Sequence, residues 1–98
     1  MTITKKQNGT SLEIALEGRL DTVTSMEFDK ELKDSLDNIT SLTLDIANLE
    51  YITSAGLRVL LGLHKEMLRR GGLKIIHVNE PVKEIFEMTG FLANLNIE

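Results

Sequence analysis

The segment YITSAGLRVLL, residues 51–61, sets a hydroxyl, a methyl and a hydrogen side by side (Ser54, Ala55, Gly56) at the start of an apolar run. A serine at a helix mouth has two uses. As an N-cap, its oxygen accepts a bond from an unpaired first-turn amide, worth about 1 kcal/mol. As a group-transfer acceptor, it can carry a phosphoryl dianion, which the unpaired amides and the positive end of the helix dipole accommodate. Small neighbours fit a tight strand-to-helix turn. They would also let another protein close over the hydroxyl. The residues alone leave both readings open.

Other candidate chemistry is sparse. His64 and His77 are the only histidines, they fall on different elements, and there is no cysteine, so a zinc ligand set is not assembled. His64, on a mostly apolar helix, reads as a packed, hydrogen-bonded residue. Asp34 and Asp37 read as solvated surface rather than an acid/base pair. The stretch GRLDTVTS opens a helix without the glycines or lysine of a phosphate cradle, and ITSAG lacks the first glycine of a nucleophile elbow. No enzyme, cofactor or metal is expected; a binding module is.

Composition agrees. The chain has 98 residues, a net charge of −4, one Tyr, three Phe and no Trp. Without a basic stripe or stacking aromatics, direct nucleic-acid binding is not expected. No apolar run reaches membrane-spanning or signal-peptide length, so a cytoplasmic domain without membrane insertion is the expectation.

The elements that must position Ser54 follow from periodicity. TITKKQNGTSLEIALEG reads as a hairpin with a type I′ turn at Asn8-Gly9, and Lys5 and Lys6 suit an edge strand. Phe28, Leu32 and Leu36 recur every four residues, marking an amphipathic helix. Asp21, Thr22 and Thr24 are its possible N-caps, and Thr24 with Glu27 has capping-box spacing. Leu42, Leu44 and Ile46 alternate as a strand. Apolar residues at 57, 60, 61, 63, 67 and 68 predict a deeply buried helix from about Ser54 to Arg70, ended by Gly71. GLKIIHV predicts another buried strand, NEPVKEIFEMTG a short helix between Pro81 and Gly90, and residues 94–97 a last brief strand. The β-β-α-β-α-β-α-β order predicts one α/β domain over residues 1–98: a mixed sheet with an N-terminal β-hairpin and three main helices packed on it.

With those elements in place, LDIANLEYITSAGLRVLLGLHKEM resembles the signature segment of STAS domains, the family of anti-sigma factor antagonists. The likeness extends through EGRLDTVTS and RRGGLKIIHVNEPVKEIFEMTGF, and so over nearly the whole chain. It implies that Ser54 is a regulatory phosphorylation site and that the unphosphorylated protein binds an anti-sigma factor that is also a serine kinase. Phosphorylation would release that partner, and a separate serine phosphatase would reset the switch. It further implies a docking patch bordered by Asp21, Thr22, Thr53, Ala55, Gly56, Leu57 and Arg58.

Two departures from the family pattern matter. Phospho-switch members often carry Asp before the serine, where this chain has Thr53, and the sequence stops at Glu98 without the C-terminal helix of longer relatives. Both fit a second expectation: a non-phosphorylated STAS docking subunit of another complex, such as a lipid-transport ABC system.

Overall fold

The computed structural model describes residues 1–90. The elements run β1 (Thr2–Asn8), β2 (Ser11–Leu20), α1 (Thr22–Ser35), β3 (Ser41–Ile52), α2 (Ser54–Leu68), β4 (Leu73–Ile76) and α3 (Glu80–Thr89). The strands form one mixed sheet in the order β1-β2-β3-β4, antiparallel at β1/β2 and parallel thereafter. The strand expected at 94–97 lies outside the described residues.

Alternation sets the layers. Leu12, Ile14 and Leu16 of β2, Leu42, Leu44 and Ile46 of β3, and Leu73 and Ile75 of β4 are buried on one face. Phe28 and Leu32 of α1, Leu57, Leu60, Leu63 and Met67 of α2, and Val82 and Phe86 of α3 join the same core. All three helices therefore cover one face. On the other, Glu13 and Glu17 are exposed while Ala15, Thr43 and Asp45 are half-buried, so the sheet is not covered on both sides by the described residues.

Several local expectations change. Asn8 pairs with Ser11, which leaves Gly9-Thr10 as the loop. Only Gly9 has positive φ (64°), the type II′ pattern, with glycine at the first loop position. On α1, Asp21 is the N-cap and Thr24 completes the capping box, displacing the pairing of Thr24 with Glu27. On α2, Leu61 is half-buried and Leu68 is 65% exposed, so the helix buries one stripe instead of most of its circumference.

His64 keeps a buried Nδ1 without a hydrogen-bond partner among the described residues, against the expectation of a satisfied core histidine. His77, exposed, sits 3.0 Å from Asp45 Oδ1. Gly71 ends α2 as expected, with its N–H bonded to Met67 O, and it lies so close to Thr40 that a Cβ would fall 1.8 Å from that carbonyl oxygen.

Candidate functional site

The register places the two helix mouths together. Leu20 pairs with Ile52, the last residues of parallel neighbours β2 and β3. Parallel strands lie about 4.8 Å apart, so Asp21 and Thr53 leave the same end of the sheet side by side. Each caps the helix that follows. The N-termini of α1 and α2, with their partial positive charge, therefore start side by side at the carboxyl ends of the two central strands.

Thr53, not Ser54, is the N-cap of α2. Its Oγ1 accepts from Gly56 N–H at 3.4 Å, and the same hydroxyl lies 3.3 Å from Leu20 O, to which it donates. Thr53 N–H also donates to Leu20 O at 3.0 Å. The expected capping role of Ser54 is thus corrected: Ser54 is the first helical residue and it is exposed. Among the described residues its hydroxyl makes no hydrogen bond, and the first turn of α2 holds no acidic side chain. With Gly56 N–H taken by the cap, the amides of Ser54 and Ala55 remain the orphan donors of that turn.

Gly56 has a packing reason. A Cβ there would sit 2.7 Å from Ile52 Cγ1 and 2.9 Å from Leu20 O. Gly56 and Leu57 are buried, so they support the mouth from below and offer little to a visiting surface, unlike the role expected of them as patch residues. Ala55 is half-buried, while Thr22 and Arg58 are exposed.

Asp21 is half-buried and engaged: Oδ1 accepts from Val23 N–H at 3.1 Å and Thr24 N–H at 3.0 Å. In return, Thr24 Oγ1 accepts from Asp21 N–H at 2.8 Å. The Thr24 backbone N–H, and then its hydroxyl, hold the Asp21 carboxyl below the usual aspartate range. It stays ionised beside the mouth of α2.

Sequence reasoning missed some neighbours of this surface. Arg19 and Tyr51, cross-strand partners, stack with the guanidinium carbon 5.0 Å from the ring centroid. Val23 and Met26, 65% and 70% exposed, carry apolar surface along the first turns of α1. Apolar residues off the buried stripe give no periodic signal, and cross-strand partners emerge only once register is known. No group of three or more metal-ligating side chains occurs among the described residues, and none of the described helices is long and apolar enough to cross a membrane.

The STAS domain family model matches residues 2–98. The chain belongs to the STAS family. This STAS domain is 34% identical over 80 residues to BtrV of Bordetella bronchiseptica, which bears the provisional name anti-sigma factor antagonist; the match covers 80% of this chain and 69% of that one. It is 30% identical over 89 residues to the anti-sigma F factor antagonist of Paenibacillus polymyxa, covering 88% and 76%. Among solved structures, the anti-sigma factor antagonist SpoIIAA in its unphosphorylated form superposes with a TM-score of 0.83 at 16% identity, over 99% of this STAS domain and 88% of SpoIIAA. At that identity the superposition establishes the fold.

Proposed function

We propose that this STAS domain is an anti-sigma factor antagonist whose Ser54 is phosphorylated by the anti-sigma factor kinase it binds. One observation carries the reading: Ser54 is exposed at a braced helix mouth with a hydroxyl that makes no hydrogen bond among the described residues, while a neighbouring residue does the capping. A phosphoryl group there would displace no hydrogen bond among the described residues. Supporting it, the relatives named above carry the name anti-sigma factor antagonist, provisionally for BtrV, and SpoIIAA has been solved in both phosphorylated and unphosphorylated forms. Asp21, Thr22, Thr53, Ala55 and Arg58 would border the docking patch, with Gly56 and Leu57 beneath it.

The switch needs no change of shape. Phosphate adds about −1.5 to −2 charges. Against a partner carboxylate at about 4 Å, one unit charge costs about 4 kcal/mol at an effective dielectric of 20. Screening to about half of that still leaves more than a tenfold loss of affinity. A serine phosphatase would restore binding.

Intact mass after incubation with ATP and candidate kinases tests the reading: one added phosphate, mapped to Ser54, is expected. An unmodified Ser54 across the anti-sigma kinases of the source genome would defeat it. Thr53 is the observation that favours the second reading, a docking subunit of a complex such as a lipid-transport ABC system. Recovery of an ATPase rather than a kinase from the native cell would favour that alternative.

A further inference from the structure

Charge around the two helix mouths is one-sided. Residues 20–29 and 47–57 include Asp21, Glu27, Asp29 and Glu50 but neither lysine nor arginine. A phosphoryl group on Ser54 would add about −1.5 to −2 charges to this ground. The end of α2 returns about half a positive charge. The phosphate is left short of about one positive charge or more.

Two arginines flank these segments. Arg19 lies with its guanidinium carbon 5.0 Å from the centroid of the Tyr51 ring. Leu20 and Ile52, the next residues on their strands, are buried beneath the helices, so alternation turns Arg19 and Tyr51 to the other face of the sheet. Arg19 is thus committed and points away from α2.

Arg58 is neither. It is exposed and has no ion pair or hydrogen bond among the described residues. The carboxylates that share its groove are engaged: Asp29 with Lys33 at 3.5 Å, and Glu66 with Arg69 and Arg70. Arg58 follows Ser54 by four residues on α2, which sets their Cβ atoms about 5–6 Å apart on one face. Helical side chains lean toward the N-terminus, so Arg58 covers the turn that carries Ser54. Anion before cation is also the favourable order for such a pair. A guanidinium, moreover, can donate two parallel N–H bonds to a phosphate.

We infer that Arg58 pairs with the phosphate of phosphorylated Ser54 along the surface of α2, favouring its dianion and withdrawing the guanidinium from the docking patch. The presence of that phosphate in the cell rests on the function proposed above; the pairing is a property of the chain. Phosphorylation would then alter the patch twice. It adds negative charge, and it engages a cation that a partner carboxylate would otherwise meet.

The test uses the full chain with phosphoserine installed at position 54 during synthesis, so that no kinase is needed. The ³¹P resonance, followed with pH, gives the midpoint for loss of the second phosphate proton. A paired guanidinium favours the dianion and lowers this midpoint. In wild type it should lie about 0.3–0.7 pH units below that of Arg58→Gln, from about twice the usual helix-pair strength. Arg58→Lys keeps the charge without the fork and should fall between the two. The gap should narrow in about 1 M salt. Phosphorylation should also raise the melting temperature more in wild type than in Arg58→Gln. A purely structural role for Arg58 would shift both forms alike and leave that increment unchanged.

Equal midpoints in wild type and Arg58→Gln would overturn the inference. So would equal melting increments, or a larger displacement of the midpoint by Arg19→Gln than by Arg58→Gln. All of these are read without a kinase, so failure leaves the Ser54 switch standing. Conversely, a Ser54 that stays unmodified by the anti-sigma kinases removes the switch and leaves the pairing of the installed phosphoserine.

Discussion

The carbonyl oxygen of Leu20 accepts two hydrogen bonds from Thr53, one from its N–H at 3.0 Å and one from its hydroxyl at 3.3 Å. Leu20 is followed by Asp21, the cap of α1, and Thr53 is the cap of α2. One peptide unit thus braces both helix mouths. The proposed docking surface is held by the carboxyl ends of the two central strands, and Ser54 stands on it without being part of the brace.

That division of labour predicts opposite outcomes at adjacent residues. Thr53→Val keeps the shape but loses the cap and the second bond to Leu20, and it should cost about 1–2 kcal/mol. Thr53→Ser should recover most of the loss. Ser54→Ala removes no hydrogen bond among the described residues and should stay within about 0.5 kcal/mol of wild type. Urea denaturation of the three variants measures this, and a larger loss at Ser54 than at Thr53 would refute the assignment of the cap.

The glycines of α2 should separate just as cleanly. Gly56→Ala drives a methyl into Ile52 and the Leu20 carbonyl, so overpacking of about 1–3 kcal/mol should outweigh the better helix propensity of alanine. Gly62→Ala meets open space and should stabilise by up to about 1 kcal/mol. Melting temperatures moving in opposite directions are the expected result.

The same contrast shows what was legible in the sequence. The leucine and isoleucine alternation in β3 identified its buried face, the apolar run of β4 marked a buried strand, and Pro81 and Gly90 marked α3, because these signals are local. Capping by Ser54, one of the two uses the sequence left open for it, passes to the preceding residue, since Thr53 and Ser54 are both good caps by type and Thr53 is also bonded to Leu20, 33 residues away. The continuation of β3 to Ile52 was hidden for a similar reason. Register shifts between Ala15 and Glu17 and between Gly18 and Arg19 put extra residues on β3, so its buried positions move from 42, 44 and 46 to 49 and 52. Leu68 fits the apolar helical pattern yet is exposed, because the side of α2 on which it lies is left open by the described residues.

Ser54→Asp tests the switch separately from the fold. A carboxylate in the first turn of α2 interacts favourably with the helix dipole, by about 0.3–1 kcal/mol. Its melting temperature should therefore equal or slightly exceed that of wild type, while binding to the cognate anti-sigma kinase falls by about tenfold or more. Calorimetric titration with that kinase and a thermal scan of the same sample give both values. Lost binding accompanied by a lowered melting temperature would point to damage of the site rather than to charge.

Acid should weaken the domain through Asp21. Its pKa is held below the ordinary value, first by the backbone N–H of Thr24 and then by the Thr24 hydroxyl. A depressed carboxylate binds its proton more weakly in the folded chain than in the unfolded one. Its stabilisation is therefore complete above the unfolded pKa, near 4, and is lost as pH falls through the lower folded value. Glu66, lowered by Arg69 and Arg70, acts in the same direction. Asp21→Asn can still accept from Val23 and Thr24 but cannot titrate, so its stability should decline less steeply than that of wild type below about pH 4. Urea midpoints measured from neutral pH downward would show the two curves converging. Parallel curves would mean that the Asp21 carboxylate contributes nothing specific to acid sensitivity.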